Sequence, residues 1–117
     1  MRKTKRTSRV GESVREALVE VFRHDLKDGR LAMVSITDVE VAPDLSFARV
    51  FISGLNEEET KQIARDLNAQ RGRIRHFLGQ RIRLRVTPNL DFRYDETPAR
   101  AGRIEQLLAD IKKNEQS

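Results

Sequence analysis

The chain contains no cysteine, which excludes a disulfide framework and thiolate chemistry and fits a reducing compartment. It also lacks any long apolar run, and no apolar region follows its basic N-terminus. Neither a membrane span nor a secretory signal is therefore expected, and a cytoplasmic protein is inferred. Histidine is scarce. His24 and His76 lie far apart, without His-x-x-Glu-type spacing, so no metal site is expected. Gly29, Gly54, Gly72, Gly79 and Gly102 form neither a P-loop nor a dinucleotide fingerprint. The 18 Asp and Glu residues fall mostly on helix faces and caps, where solvation accounts for them. No catalytic set and no cofactor is expected from these residues. At 117 residues the chain has room for one domain with a modest core.

What the sequence has is arginine and lysine, unevenly placed. Residues 1–9 carry five basic and no acidic residues, and residues 10–30 carry four and five. Residues 31–60 carry one basic and six acidic, residues 61–85 eight and one, and residues 86–117 five and six. Two basic blocks separated by an acidic one suit an oriented contact with a polyanion. The plainer alternative is two solvated charged surfaces.

Residues 1–9 (Arg2, Lys3, Lys5, Arg6, Arg9) have little to bury and read as a flexible basic arm. Val10, Val14, Ala17, Leu18, Val21 and Phe22 then form a helical stripe that ends at Asp28-Gly29. Residues 32–42 read as a strand whose apolar phase slips near Thr37-Asp38, which predicts a bulge. After the turn signal Ala42-Pro43-Asp44, residues 47–53 alternate as a second strand, giving an antiparallel hairpin. Asn56 and Glu59 form a helix-start pattern, and Ile63, Ala64 and Leu67 share one face. Gln70 and Gly72 interrupt that stripe, so Ala69–Gly72 is expected to separate two helices. Ile74, Phe77 and Leu78 carry the second helix to about Gly79, with Arg71, Arg75 and His76 turned away from its core stripe.

From Arg81 to Tyr94 the apolar residues alternate, which predicts a long strand with Arg81, Arg83 and Arg85 on one face and Pro88 at a bulge. Thr97-Pro98 starts a last helix carrying Ile104, Leu107, Leu108 and Ile111, expected to pack on the domain through residues 96–111 and to fray over 112–117. The expected architecture is α+β: an α-β-β-α-kink-α-β domain over residues 10–95, with helices on one face of a three-stranded sheet. Arginine's planar fork suits phosphate and its plane stacks on bases, so the arginine array is the leading candidate for RNA contact. Salt bridges to residues such as Glu40 or Glu58 are the alternative. Phe47 and Phe51 flank Arg49 and could stack bases, but cover by the last helix is preferred.

The element order and two stretches, GRLAMVSITDVEVAPDLSFARVFIS and RGRIRHFLGQRIRLRVTPNLDFRYD, resemble the ribosome-binding factor A family over about residues 8–110. That resemblance implies a type II KH-like fold in which a kinked helix–helix junction, typically Ala-x-Gly, replaces the GxxG loop. Gly72 matches the junction glycine, while Gln70 stands where the family has Ala. It further implies a non-catalytic assembly factor that binds the free small (30S) ribosomal subunit and supports late maturation, including 5′-end processing of 16S rRNA. An association with growth in the cold, release by an assembly GTPase and action as a monomer are implied as well. The RNA-binding set is then Lys3, Lys5, Arg6, Arg9, Arg71, Gly72, Arg75, His76, Arg81, Arg83 and Arg85.

Two other classes fit the residues. A small basic ribonuclease would need an acid–base pair near the arginines, for which His76 with Asp66 is the candidate. A protein-interaction module would dock through the exposed sheet edge, with binding insensitive to salt.

Overall fold

The structure, a computed structural model, describes residues 4–97. Its first helix, α1 (Lys5–Glu20), starts well before the apolar stripe does. Thr4 and Thr7 cap each other. Thr4 Oγ1 accepts the Thr7 N–H at 3.2 Å, and Thr7 Oγ1 accepts the Thr4 N–H at 2.8 Å. The inward positions here are Thr7 and Gly11, both buried, which extend the Val14–Leu18 row without being apolar. Lys5, Arg6 and Arg9 therefore stand on ordered helical turns, where a flexible arm was expected; Lys3 lies outside the described residues. A Cβ at Gly11 would sit 2.7 Å from the Val39 carbonyl oxygen, so a glycine is needed for α1 to approach the sheet this closely.

α1 runs on into a π-helical turn, Val21–Asp25, closed by the Leu26 N–H donating to the Val21 carbonyl at 3.1 Å. A 3-10 turn over Gly29–Met33 takes the first residues of the expected 32–42 strand, and β1 is Ser35–Val41. Its register shifts between Ile36 and Asp38, at the predicted bulge, and both Ile36 and Val39 thereby face the core. In the turn to β2 (Phe47–Ser53), Leu45 adopts φ 63° and is buried. Asp44 Oδ1 steadies the turn by accepting the Ser46 N–H at 3.1 Å and its hydroxyl at 2.6 Å.

α2 (Glu57–Ala69) is capped by Asn56 Oδ1, which accepts the Glu59 N–H at 2.8 Å. The expected break follows. Gln70 leaves the helical region with φ −116° and ψ 22°, and α3 (Arg71–Arg81) begins directly after it. β3 is Asn89–Tyr94 only and pairs in parallel with β2, Phe47 opposite Asn89 through Ile52 opposite Tyr94. The longer strand expected from Arg81 is thus corrected. β2 begins at Phe47, so a residue before Asn89 would have only the turn at Ala42–Ser46 to pair with. The apolar alternation over 82–88 has another cause. Ile82 and Leu84 pack against the core from an irregular connection, and Pro88 is buried at its end.

The sheet order is β1-β2-β3, antiparallel then parallel, and the helices cover one face. Val14, Leu18, Phe22, Ile63, Leu67, Ile74 and Leu78 bury against Ile36, Val39, Val50, Ile52, Leu90 and Phe92. Each such side chain contributes about 1.5–3 kcal/mol before entropic costs. The fold is the α+β arrangement expected for a KH-like chain of type II. The helix predicted to carry Ile104, Leu107, Leu108 and Ile111 lies outside the described residues.

Candidate nucleic-acid interface

The junction between α2 and α3 is fixed from the strand side. Asn68, in the last turn of α2, donates through Nδ2 to the Phe92 carbonyl and accepts the Phe92 N–H through Oδ1, both at 2.8 Å. Its carboxamide thereby occupies both backbone groups of Phe92 in an edge strand, as a neighbouring strand would. With α2 pinned there, the chain turns at Gln70 and α3 is anchored by fully buried Ile74 and Leu78. Apart from half-buried Phe77, the rest of α3 is polar, basic or glycine, and these residues divide into three rows by helical spacing.

Arg71, Arg75 and Gly79 face the start of β3. Arg75 donates from Nε and Nη2 to the Thr87 carbonyl at 3.1 and 2.8 Å, tying α3 to the 82–88 connection. Gly72, His76 and Gln80 point outward, with His76 Nε2 and Gln80 Nε2 3.3 Å apart. On the third row the Arg73 guanidinium lies 5.3 Å from the centre of the Phe77 ring. Arg81 ends this row in a two-pronged ion pair with Asp25 of the π-helical turn, at 2.7 and 3.0 Å. The hydrogen bond from Arg81 holds the Asp25 carboxyl below the usual aspartate range.

Arg81, Arg83 and Arg85 accordingly do not share a strand face. Arg81 belongs to α3, and Arg83 and Arg85 are exposed in the connection that follows. Arg81 and Arg83 line one groove with Glu16 and Glu20 of α1, so the C-terminal end of α3 is electrostatically compensated. Its N-terminal end is not. Among the described residues Arg71 is exposed and has no carboxylate partner. The acidic residues expected as competitors, Glu40 and Glu58, are not the partners; Asp25 is.

The first turns of α1 and the start of α3 lie toward one end of the sheet, by its opposite edges. Gly11 of α1 lies against Val41 at the end of β1, Val41 pairs with Ala48, and Ala48 pairs with Leu90. Leu90 lines an open cleft with Phe47, Arg71, Gly72, Arg75 and Asn89. The first turns of α1, bearing Lys5, Arg6 and Arg9, and the start of α3 therefore flank the same end. The other sheet face is charge-balanced: Asp91 takes Arg93 at 2.9 Å and Arg49 at 3.6 Å, and Glu40 stands opposite Arg49.

His76 and Asp66 do not form an acid–base pair. Asp66 accepts from Gln62 at 2.8 Å and from Arg30 at 2.9 Å, and these bonds hold its carboxyl below the usual range. Arg30 in turn clasps Asp28, latching the 3-10 turn to α2. Among the described residues no group of three His, Cys, Asp or Glu side chains is placed to hold a metal ion.

The model of the family "Ribosome-binding factor A" matches residues 6–108 of this chain. A ribosome-binding factor A from Thermodesulfovibrio yellowstonii is 38% identical over 113 residues, covering 97% of this chain and 96% of the relative. The chain belongs to the ribosome-binding factor A family. Solved family structures are similar in three dimensions. The crystal structure from Thermus thermophilus has a TM-score of 0.65 at 27% identity, over 75% of this chain and 94% of that one. The solution structure of a putative ribosome binding factor A from Thermotoga maritima has 0.65 at 29%, over 80% and 90%. A homology model of the Thermus thermophilus factor, fitted into a cryo-EM map of a 30S complex, has 0.64 at 27%, over 77% and 96%.

The last helix, the expected cover for Phe47, lies outside the described residues, and the sequence patterns do not single out Arg73, Asn89 or Asn68. The alternation of β2 placed Phe47 on the face away from the core. Its position opposite Asn89 and beside Arg71 depends on a parallel register that no local pattern encodes.

Proposed function

We propose that this chain is a non-catalytic RNA-binding assembly factor that docks on the free small ribosomal subunit. In this reading it supports late maturation, including 5′-end processing of 16S rRNA, acts as a cytoplasmic monomer, and is released by an assembly GTPase. The observation that carries the RNA contact is the basic end of the sheet, where Arg71 is exposed without a carboxylate partner among the described residues. Arg71 and Gly72 at the helix break, Arg75 and His76 behind them, and Lys5, Arg6 and Arg9 on α1 surround it, with Lys3 preceding them in sequence. Family membership supports a ribosomal partner, and the fitted 30S complex of the Thermus thermophilus factor favours the small subunit. Arg83 and Arg85 extend the basic surface along the 82–88 connection, whereas Arg81 serves the fold through Asp25.

Phosphate contacts release condensed counterions, so affinity for the free subunit falls steeply with salt. Replacing Arg71 and Arg75 together by glutamine should flatten the log–log salt slope by about one to two units while Ile74 and Leu78 keep α3 docked. Crosslinking the protein to purified free subunits and mapping the nucleotides locates the contact. Unchanged affinity and slope in the double variant would refute the site at the helix break.

A further inference from the structure

We propose that the cleft at the start of α3 takes one unpaired nucleotide, its base against Phe47 and its phosphate against Arg71. The proposal rests on the RNA-binding reading above and adds what that reading leaves open, namely that single-stranded RNA is bound rather than a duplex backbone. Six residues line the cleft: Phe47, Arg71, Gly72, Arg75, Asn89 and Leu90, none of them acidic. Leu90 belongs to the core, and the other five each serve a different part of nucleotide recognition.

Phe47 is half-buried, and an aromatic ring at a binding surface stacks with any base because every base has a π-face. Arg71 is exposed without a carboxylate partner among the described residues, so its fork is free for a phosphate. Arg75 has two of its nitrogens on the Thr87 carbonyl, which makes it a positioning residue for the cleft wall. Gly72 leaves the space above the helix start open, with no heavy atom within 4 Å of a Cβ placed there. Asn89 is exposed, and its Nδ2 has only a long contact of 3.4 Å to the Ser46 carbonyl. That carboxamide can offer a donor and an acceptor to a base edge. In a duplex the base faces are stacked away and cannot reach Phe47, whereas a splayed single-stranded base can.

The test uses the full chain, a short single-stranded RNA and the duplex of the same sequence, with affinity followed across a salt series. Wild-type protein should prefer the single strand. Phe47→Leu should weaken single-strand binding roughly tenfold without changing the salt slope or duplex affinity. Arg71→Gln should lower the slope by about one unit on both RNAs. Asn89→Ala, at an exposed position, should weaken the single strand alone, and 4-thiouridine in that strand should crosslink to the peptide holding Phe47. If Phe47→Leu does not fold, Asn89→Ala and the crosslink decide. Single-strand affinity unchanged by both variants, or crosslinks elsewhere, would overturn the base pocket while an effect of Arg71→Gln left the RNA reading standing. Wild-type protein that binds neither RNA nor free subunits would overturn both.

Discussion

Gly72→Ala should separate what the fold needs at the helix break from what the partner needs. Gly72 is the second residue of α3, it is exposed, and none of the described glycines has a positive φ. A methyl group there meets nothing within 4 Å. The substitution therefore introduces no clash and no backbone strain, and it removes the conformational freedom that a glycine retains in the unfolded chain. Gly-to-Ala changes at compatible sites stabilise by about 0.4–1 kcal/mol, which for a domain of this size is a rise of about 2–6 °C in melting temperature. The partner should respond in the opposite direction. Gly72 lines the cleft beside Arg71, and a phosphate oxygen approaching the backbone there would have to clear the added methyl. Losing one charge-assisted hydrogen bond costs about 1.5–3 kcal/mol, or roughly ten- to a hundredfold in affinity for the free subunit. Gln80→Ala, on the same outward row but away from the cleft, should leave binding unchanged. Melting curves and subunit co-sedimentation read the two effects. A higher melting temperature with unaltered binding would show that the glycine serves neither fold nor partner, and a lower one would refute the open-space reading.

How far the sequence could be read depends on the range of the forces that set each element. Asn56 with Glu59, the phase slip at Thr37-Asp38 and the interrupted stripe at Gln70-Gly72 are local signals, and the elements they predict are the ones observed. The start of α1 was missed because its inward residues are Thr7 and Gly11. A small residue is required where the Val39 carbonyl comes so close, and an apolar-periodicity argument cannot see it. The strand expected from Arg81 failed for the opposite reason. Ile82 and Leu84 alternate as a strand would, but whether a segment becomes one depends on a partner, and β2 offers none before Phe47. The same long-range pairing decided the site. Net charge located the basic block, yet only the tertiary structure separates Arg81, held by Asp25, from Arg71, which has no carboxylate partner among the described residues.

Two further perturbations test the packing and the division of the arginines. Gly11→Ala should destabilise by about 1–3 kcal/mol, the usual cost of overpacking, because the new Cβ would lie 2.7 Å from a backbone carbonyl that cannot swing away; a denaturation midpoint equal to wild type would show that α1 can lift off β1 freely. The Arg81–Asp25 pair should reveal itself in acid. The Asp25 carboxyl is lowered from 3.8, chiefly by the hydrogen bond from Arg81. A depressed folded-state value means stability that is present above 3.8 and lost as pH falls through the lower folded value. The difference in melting temperature between wild type and Arg81→Gln should therefore be full at neutral pH and shrink below 3.8. Asp28 and Asp66, also lowered and both bonded to Arg30, titrate in the same region, but they are common to the two proteins and cancel in the difference. Since its fork is already engaged, Arg81→Gln should also weaken subunit binding less than Arg71→Gln does. A pH-independent difference, or a binding loss equal to that of Arg71→Gln, would place Arg81 at the RNA and not in the fold.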